Sequence, residues 1–486
     1  MPVSSLPAGV EYLRFLPELI LSIVATLVMM IEPLTKPGKK NGLVALTLAG
    51  FAAALAAAVY VNGNPGPAFS GLLIVDGFAT LFRVLVIGAG ALTVFISNSF
   101  LNREGANSGE YYALVLFSVV GQCVMVTAND LIMVFIGLEI SSISSYVLAG
   151  YLRDDKRANE AALKYFLLGS FATAFLLYGV ALIYGATGST NLINIRAAIS
   201  SVSAGPSTML VGIAAALILV GFGFKISAAP FQMWAPDVYQ GAPTPVTAFL
   251  STGPKAAAFA VFVRVFMTSF QHIGPGWEQM VWISALLSMT IGNFAALVQT
   301  DVKRMLAYSS IAHAGYVLVA VRARSEEGSA AVMFYLVAYV LMNIGALAVV
   351  AHVSGKGEKY LKIQDLAGLG VQQPMLAAAL SIFMLSLIGV PLTGGFFGKF
   401  YIVKAALESK LIWLAVLALL NSAVGAYYYL RILVVMYMQE PGEAVADLPP
   451  LSFGVKAALL GPLAGVLLLG IFPSALLEFA IHAAKL

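Results

Sequence analysis

The stretch LILVGFGFKISAAPFQMW, residues 217–234, places one lysine in a long run that otherwise carries no charge. Upstream of Lys225 the chain is apolar as far as Met209, which is typical of a helix that crosses a membrane. Downstream, Pro230 removes a backbone donor and predicts a break in that helix. A buried ammonium group beside a helix break needs a polar or hydrated partner, so this stretch predicts a functional site inside a membrane protein.

The composition indicates the same class of protein. Of the 486 residues, 60% are hydrophobic and 10% are charged, whereas roughly a quarter of the residues in a soluble domain are charged. Apolar runs recur along nearly the whole chain. They predict an all-α polytopic membrane protein with about fourteen transmembrane helices, over residues 10–31, 41–61, 75–99, 111–129, 131–151, 160–185, 208–234, 245–271, 277–299, 303–321, 329–353, 374–405, 411–438 and 453–474.

No motif in the sequence predicts a cofactor or metal site. Cys123 is the only cysteine, which excludes an internal disulfide, an iron–sulfur cluster and an all-cysteine metal site. A phosphate loop and a Gly-x-Gly-x-x-Gly motif after a strand are both lacking, so no nucleotide site is expected. The first apolar run contains Glu18 and has no basic leader, and we therefore expect a retained helix and no cleaved signal peptide.

The basic residues of the loops predict the orientation. With fourteen spans, both termini lie on one side of the membrane. The loops that lead into even-numbered spans contain Lys36, Lys39, Lys40, Arg103, Arg153, Lys156, Arg157, Lys303, Arg304, Lys356, Lys359 and Lys362. The opposite loops contain Arg196, Arg322, Arg324 and Lys410. Because basic loops stay in the cytoplasm, both termini are predicted to be periplasmic if the protein is bacterial.

The sequence also suggests an internal repeat. NEAALKYFLLGSFATAFLLYG, residues 159–179, resembles GSAAVMFYLVAYVLMNIGALA, residues 328–348, and the break at Pro230 has a counterpart at Pro391. Five spans then occur twice, and an odd number per unit inverts the copies, as in many ion-coupled transport folds. The alternative is that alanine- and leucine-rich helices align loosely. The repeat predicts an N-terminal three-helix segment, a first repeat, a second repeat and a C-terminal helix, over residues 1–110, 111–275, 276–440 and 441–486.

Ionisable residues inside the predicted spans are the candidate functional residues. They are Glu139, Lys164, Lys225, Lys255, His313 and Lys399. Because burying an ionised group costs several kcal/mol, such residues usually line a hydrated path or pair with one another. The segments KISAAP and VPLTGG each contain a proline that frees backbone carbonyls, and they predict polar, hydrated pockets at two discontinuous helices, beside Lys225 and just before Lys399.

Simpler interpretations exist for some of these residues. Lys164 lies only a turn into its predicted span, where its ammonium group can reach the membrane surface. His313 fits either a core imidazole or a proton relay. Arg264 and Arg431 are expected to reach the surface or to bind lipid headgroups, because they lie toward helix ends. Packing is the interpretation for Cys123, and helix packing is also expected for the tyrosines of residues 427–429.

Elementary electrostatics shows how such residues could carry protons. A carboxylate at about 4 Å stabilises an ammonium group by roughly 4 kcal/mol at an effective dielectric constant of 20, and by less than half of that at about 10 Å. A movement of Glu139 by a few ångströms relative to Lys225 could therefore load or discharge the lysine. Such a proton switch needs no redox chemistry within this chain.

Two segments carry a specific resemblance. They are FKISAAPFQMWAPDVYQGAPTPVTAFLSTGPKAA, residues 224–257, and GVPLTGGFFGKFYIV with AVGAYYYLRI, residues 389–403 and 423–432. Both are similar to the antiporter-like membrane subunits of proton-pumping NADH–quinone oxidoreductase, respiratory complex I. The loop PDVYQGAP is more similar to subunit N than to subunits L and M, and the likeness runs through the whole chain. The sequence departs at Gln232, where the family often has histidine after Pro-Phe.

The resemblance implies fourteen helices with two inverted five-helix repeats, two of the helices being discontinuous. It implies that Glu139 and Lys225 are paired in a first half-channel, that Lys255 bridges, and that Lys399 ends a second half-channel. Lys164 matches an additional lysine with a modulating role. Proton translocation is the implied activity of this chain, whereas NADH, FMN, the iron–sulfur clusters and quinone are handled in or with other subunits. The implied partners are subunit M, the small membrane-arm subunits and the lipid bilayer, without nucleic acid.

Three functions remain open from the sequence. The first is a proton-translocating subunit of a translocase, located in a bacterial inner membrane. The second is a subunit of a multisubunit cation/proton antiporter, which shares the row of buried charges. The third is a structural membrane scaffold, in which the buried lysines would tolerate substitution by methionine.

Overall fold

The computed structural model describes residues 9–35, 40–201, 206–270, 276–446 and 448–485. Within these ranges the chain is almost entirely helical. The α-helices are α1 (Gly9–Arg14), α2 (Leu16–Ile31), α3 (Asn41–Val61), α4 (Gly77–Glu104), α5 (Gly109–Thr127), α6 (Leu131–Ala149), α7 (Lys156–Thr187), α8 (Leu192–Ser201), α9 (Pro206–Lys225), α10 (Trp234–Gly241), α11 (Thr244–Leu250), α12 (Gly253–Thr268), α13 (Gly276–Leu297), α14 (Val302–Arg322), α15 (Glu326–Val353), α16 (Leu369–Gln372), α17 (Pro374–Ile388), α18 (Gly394–Glu408), α19 (Ile412–Met438), α20 (Glu443–Ala446), α21 (Phe453–Ile471) and α22 (Ser474–Ala483).

Short elements connect some of these helices. Three 3₁₀ turns cover Glu32–Leu34, Lys356–Glu358 and Ile363–Leu366. Two three-residue strands, β1 (Gly66–Ala68) and β2 (Leu73–Val75), pair antiparallel as a hairpin between α3 and α4. The prediction of an all-α fold overlooked this hairpin, because its strands are too short to show an alternating pattern.

Eleven helical segments in the described residues are long and apolar enough to cross a membrane. Three further predicted spans are also helical but do not meet that standard. The helix α17 has only 15 residues because the chain breaks after it, and the part of α9 whose side chains the structure describes is Met209–Lys225. The helix α14 has the length but carries Lys303, Arg304 and His313. The protein is therefore a polytopic, mostly helical membrane protein.

Both predicted helix breaks are present. The helix α9 ends at Lys225 and α10 begins at Trp234, while α17 ends at Ile388 and α18 begins at Gly394. The sequence predicted one continuous span over 245–271, but α11 and α12 are separate helices there. Pro254 stands in the first turn of α12 and cannot continue α11, because its ring would clash with the preceding turn.

Side chains satisfy the backbone groups that the first break exposes. The indole nitrogen of Trp234 donates to the carbonyl of Phe224 at 2.9 Å. The amide of Ala229 donates to Ser288 Oγ at 2.8 Å, and Ser284 Oγ donates to the carbonyl of Ala229 at 2.6 Å. Both serines belong to α13, so a helix of the second half of the chain completes a break in the first half.

Two ion pairs hold the N-terminal helices, one between α2 and α4 and one between the start of α4 and α12. Arg83 Nη2 lies 2.7 Å from Glu18 Oε1, and both side chains are fully buried. Arg264, on α12, donates to both carboxylate oxygens of Asp76 at 2.9 Å. The expectation that Arg264 reaches the membrane surface is therefore wrong. The guanidinium group loses its water on burial, and the two hydrogen bonds to the carboxylate compensate for this loss.

The basic loops lie together on one side of the molecule. Arg157 Nη2 donates to the carbonyl of Gly357 at 3.1 Å, and the amide of Gly357 donates to Glu104 Oε2 at 2.9 Å. On the same side, Lys303 Nζ lies 3.0 Å from Glu358 Oε2, with both groups buried. We call this side the basic face. Its loops fix the ends of α4, α7, α14 and α15 relative to one another.

Candidate functional site

Glu139 and Lys225 approach each other across α6. Lys225 is the last residue of α9, and its Nζ donates to Ser142 Oγ at 2.7 Å and to Tyr146 Oη at 3.3 Å. Glu139 Oε1 accepts from Thr173 Oγ1 at 3.0 Å. Residues 139, 142 and 146 share one face of α6 because their spacing follows the helical repeat. No ion pair within 4.0 Å joins Glu139 to Lys225, and each of the two groups bonds to hydroxyls of its own. We call Glu139, Ser142, Tyr146 and Lys225 the first group.

Aromatic rings surround the ammonium group of Lys225. Its Nζ lies 5.4 Å from the centroid of the Tyr146 ring, 5.9 Å from Tyr165 and 5.7 Å from Phe224. Trp234 stacks on Tyr165, with ring centroids 4.5 Å apart and planes inclined by 9°. The faces of aromatic rings attract cations, so this environment stabilises the ammonium group without a second carboxylate.

Lys255 lies in the first turn of α12 and is fully buried. Its Nζ donates to the carbonyl of Ser310 at 2.9 Å and also bonds to Ser310 Oγ. Nothing in the sequence identifies Ser310 as the partner of Lys255, because it is one of two consecutive serines before Ile311. Only the packing of α12 against α14 reveals this contact.

His313 is buried between two tyrosines. Its Nδ1 bonds to Tyr335 Oη, and its Nε2 lies 3.0 Å from Tyr429 Oη. Tyr429 also bonds to Ser309 Oγ. The expectation that residues 427–429 serve packing is thus incomplete, because Tyr429 is a direct hydrogen-bond partner of the imidazole. A ring nitrogen flanked by hydroxyls can donate or accept a proton on either side.

Lys399 lies against the end of the other broken helix. Its Nζ donates to the carbonyls of Leu387 and Ile388 at 3.0 and 2.8 Å, and to Ser422 Oγ at 2.7 Å. The two carbonyls belong to the last turn of α17, where no further helical amide is available to them. The ammonium group therefore occupies the negative end of the α17 dipole.

The helix α14 connects Lys255 with Lys399. Ser310, His313 and Tyr316 follow at intervals of three residues and therefore share one face of the helix. Ser310 bonds to Lys255, and the ring of Tyr316 lies 4.8 Å from Lys399 Nζ. We call Lys255, Ser310, His313, Tyr316 and Lys399 the second group. Of the predicted site residues, the structure thus brings together Glu139 with Lys225, and Lys255 with His313 and Lys399.

Buried polar atoms without a hydrogen-bond partner lie beside the helix breaks. Among the described residues they include Gln122 Oε1, Ser227 Oγ and Asn343 Oδ1. Ser227 follows Lys225, Gln122 faces Gly253 at the start of α12, and the amide of Asn343 donates to Ser251 Oγ at 2.6 Å. Buried groups of this kind commonly bind water in proteins, and here they lie near residues 225–227 and 251–253.

Lys164 lies apart from the other lysines, on the basic face. The helix α7 begins at Lys156, so Lys164 lies in its third turn and not its first. Its Nζ is 2.7 Å from both Glu160 Oε1 and Asp237 Oδ2. Asp237 also pairs with Arg304 Nη1 at 2.8 Å. The ammonium group of Lys164 therefore belongs to a surface network and not to the buried row.

A cavity of about 330 Å³ surrounds this network, and we call it the vestibule. Its charged lining residues are Arg157, Glu160, Lys164, Asp237, Asp301 and Arg304. A larger cavity of about 890 Å³ shares Arg157 and is lined by Glu104, Glu110, Arg153, Asp155 and Gly357. Both cavities open on the basic face, so protons and ions from that side have access to Lys164.

Burial and hydrogen bonds shift the pKa values of two carboxylates on the basic face in opposite directions. Burial raises the pKa of Asp301, and the amide of Arg304, which donates to Asp301 Oδ1 at 2.8 Å, offsets this only in part. Burial also raises the pKa of Asp155, but hydrogen bonds from Arg157 outweigh it and hold that pKa below its ordinary value. Asp301 is therefore the easier of the two to protonate.

Some other expectations concern single residues. Cys123 is fully buried, as expected for packing. Arg431 is partly buried and donates to the carbonyls of Leu297 and Gln299 at the end of α13, and the expectation that it reaches the surface or binds lipid stays a prediction. Within the described ranges, no group of three histidine, cysteine, aspartate or glutamate residues is arranged to hold a metal ion.

The chain resembles known proteins over its full length. A family model described as NADH:quinone oxidoreductase/Mrp antiporter, TM matches residues 128–425, a range that includes Glu139, Lys225, Lys255 and Lys399. NADH-quinone oxidoreductase subunit N 1 from Solibacter usitatus is 63% identical over 484 residues, covering 100% of this chain and 99% of that protein.

Solved structures agree with this relationship. A chain of respiratory complex I from Thermus thermophilus is 37% identical with a TM-score of 0.82, covering 96% of this chain and 99% of that chain. A chain of the Mrp complex from Dietzia sp. has a TM-score of 0.84 at 22% identity, with 97% of each chain covered, which shows a common fold alone. The sequence identity over the whole length therefore places this chain in the family of NADH-quinone oxidoreductase subunit N.

Proposed function

We propose that this chain translocates protons through the first and second groups, as an antiporter-like membrane-arm subunit of complex I. Electron transfer from NADH to quinone takes place in other subunits and drives the translocation. The observation that carries the proposal is the placement of three lysines at or beside helix breaks, each held by hydroxyls or carbonyls and none within 4.0 Å of a carboxylate.

The contacts of the lysines support this role. An ammonium group buried for structural purposes usually has a carboxylate beside it, because removal of water from the charge costs several kcal/mol. Lys303 shows that arrangement in the same protein, since it is buried against Glu358. Lys225, Lys255 and Lys399 instead bond to groups that also accept hydrogen bonds from a neutral amine or from water.

The finer features belong to the same proposal. We propose about fourteen membrane crossings, with inverted repeats over residues 111–275 and 276–440, flanked by an N-terminal segment 1–110 and a C-terminal helix 441–486. The similar positions of the α9–α10 and α17–α18 breaks support this division. The basic face then lies toward the cytoplasm of a bacterial inner membrane, and both termini lie on the periplasmic side.

Partners and cofactors follow from the family. The partners are the antiporter-like subunit M, the small membrane-arm subunits and the lipid bilayer. FMN, the iron–sulfur clusters, NADH and quinone bind in or with other subunits. Within this chain, Glu139, Lys225, Lys255 and Lys399 carry protons, His313 relays them in the second group, and Lys164 modulates access from the basic face.

Substitution of the two break lysines tests the proposal. Lys225→Ala and Lys399→Ala are expected to lower the NADH-driven pH gradient in inverted membrane vesicles at least about tenfold, because each removes a proton carrier. Lys404→Ala is the matched control, since Lys404 lies on the same helix as Lys399 but is exposed and pairs with Glu408. Immunodetection of the assembled complex separates loss of pumping from loss of assembly. Normal pumping in both lysine variants would contradict the proposal.

A cation/proton antiporter subunit is the alternative, because the fold is shared with a chain of an Mrp complex. It predicts cation-for-proton exchange in the absence of NADH. Everted vesicles that contain the assembled complex, given a sodium or potassium pulse without NADH, distinguish the two functions by whether the internal pH changes.

A further inference from the structure

The half-helix α10 packs against α7 at three successive levels. Trp234 stacks on Tyr165, and three residues later Asp237 pairs with Lys164 at 2.7 Å. Four residues further, Gly241 lies so close to Arg157 that a Cβ atom would come within 2.5 Å of its carbonyl oxygen. Because positions 234, 237 and 241 share one helical face, α10 is held along α7 by a stack, an ion pair and a close backbone contact.

The first of these levels belongs to a cluster of aromatic rings next to Lys225. Trp234, Tyr165, Phe224 and Tyr146 are all buried, and Lys225 Nζ lies within 6 Å of the centroids of the last three rings. Trp234 and Tyr165 are parallel with centroids 4.5 Å apart, a separation at which no water fits between the rings. We call these four residues the aromatic wall.

The second level, one turn along the same face of α10, borders the vestibule. Asp237 is about one-third exposed, and its two carboxylate oxygens bond to Lys164 on α7 and to Arg304 on α14. The first turn of α10 therefore contributes Trp234 to the stack on Tyr165 and Phe224, the rings next to Lys225, and Asp237 to the lining of the cavity. The described hydrogen bonds of Lys225 go to Ser142 and Tyr146, and neither of these residues lines the vestibule.

We propose that Trp234 is a positioning residue that closes the passage between the vestibule and Lys225, and that Asp237 latches it closed through Lys164 and Arg304. The proposal rests on the proposed function, because it assumes that Lys225 carries protons. Loss of the indole opens the wall, whereas loss of the Asp237 charge loosens α10 and opens it in part. The passage then conducts protons down a gradient without electron transfer.

Passive proton entry into proteoliposomes tests this assignment. The intact purified complex is reconstituted without NADH, a potassium diffusion potential is imposed with valinomycin, and internal pH is followed with pyranine. Trp234→Ala is expected to raise the initial rate of proton entry about tenfold over the parent, which corresponds to a barrier lower by about 1.4 kcal/mol. Asp237→Asn is expected to raise it about threefold.

Control variants exclude a general loss of packing. Met233→Ala alters an exposed neighbour of the same break and is expected to leave the leak at the parent level. Trp234→Phe retains a ring against Tyr165 and is expected to restore most of the barrier. The decisive variant is Trp234→Ala combined with Lys225→Ala, in which the leak returns to the parent level because the carrier behind the wall is gone.

The outcomes separate this proposal from the proposed function. A leak that equals the parent rate in Trp234→Ala, or one that persists in the double variant, overturns the role of the wall. The proposed function then still stands if Lys225→Ala alone abolishes NADH-driven pumping. Should Trp234→Ala fail to assemble, Tyr165→Leu opens the same stack from α7 and is subject to the same prediction and the same double variant.

Discussion

The ammonium groups of Lys225 and Lys399 both lie beside a helix break, but different groups stabilise their charges. Lys225 bonds to two hydroxyls on α6, with Glu139 one turn before the nearer of them. Lys399 bonds to two carbonyls that end α17. A carboxylate can be neutralised by a proton or displaced by a movement, whereas a helix end keeps its partial charge of about half an electron. The stabilisation of the ammonium group can therefore change in the first group, whereas it stays constant in the second.

The largest expected effect tests that difference at its source. In Glu139→Gln the switchable charge of the first group is absent, and a unit charge within about 4–10 Å contributes roughly 2–4 kcal/mol at an effective dielectric constant of 20. We expect NADH-driven proton pumping to fall at least about tenfold, while the complex assembles normally. Pumping is measured in inverted vesicles alongside NADH oxidation. Pumping at the parent level would show that Lys225 does not depend on this carboxylate.

The intermediate effect compares one hydroxyl in each group. Ser142→Ala leaves Lys225 only the longer bond to Tyr146, whereas Ser422→Ala leaves Lys399 both of its carbonyl partners. A hydrogen bond to a charged group contributes about 1.5–3 kcal/mol, so pumping is expected to fall about fivefold or more in Ser142→Ala. In Ser422→Ala a loss of less than about twofold is expected. Equal losses in the two variants, measured in the same vesicle assay, would remove the distinction between the groups.

The smallest expected effect concerns Asp301, a carboxylate outside both groups, and the pH dependence of the stability that it contributes. Burial raises the pKa of Asp301 above its ordinary value, so the ionised form destabilises the fold. This cost is absent at low pH, while the group is protonated, and develops as the pH rises through the raised pKa. Asp301→Asn retains the cap on the Arg304 amide, because an asparagine oxygen also accepts this bond.

The thermal midpoint of the purified Asp301→Asn complex is expected to exceed that of the parent slightly at pH 8, and the difference should shrink as the pH is lowered through the raised pKa of Asp301. Pumping at pH 7 is expected to stay at the parent level, because Asp301 lies outside both groups. A stability difference that grows on acidification would reverse the assigned sign. A pH-dependent pumping defect would instead add Asp301 to the proton path.

Much of the fold could be predicted from the sequence, because the bilayer leaves few options for an apolar chain. Long apolar runs must become helices, and prolines at 230 and 391 must interrupt them. The break before Pro254 was missed because the apolar runs on both sides of the short segment STGPK, residues 251–255, were taken together as one span. The short hairpin at Gly66–Ala68 and Leu73–Val75 has too few residues for a periodic signal.

The candidate site was predictable in its residue types but not in its pairings. A lysine or glutamate in an apolar run is conspicuous by itself, and thus Glu139, Lys225, Lys255 and Lys399 could be selected. Their partners are ordinary serines and tyrosines, which occur throughout the sequence. The burial of Arg264 depends on Asp76, 188 residues away, and no local pattern reports such a pair. Lys164 lies in a partly exposed network, in agreement with the simpler interpretation that its ammonium group reaches the surface.

The serines of α13 have a consequence for how this protein can be made. Ser284 and Ser288 complete the hydrogen bonds of Ala229, which belongs to the opposite half of the chain. A gene divided in the α12–α13 connection would thus encode two polypeptides, of which the first could not satisfy its own interrupted span. Completion of that interrupted span in the first fragment would therefore depend on its reassociation with the second.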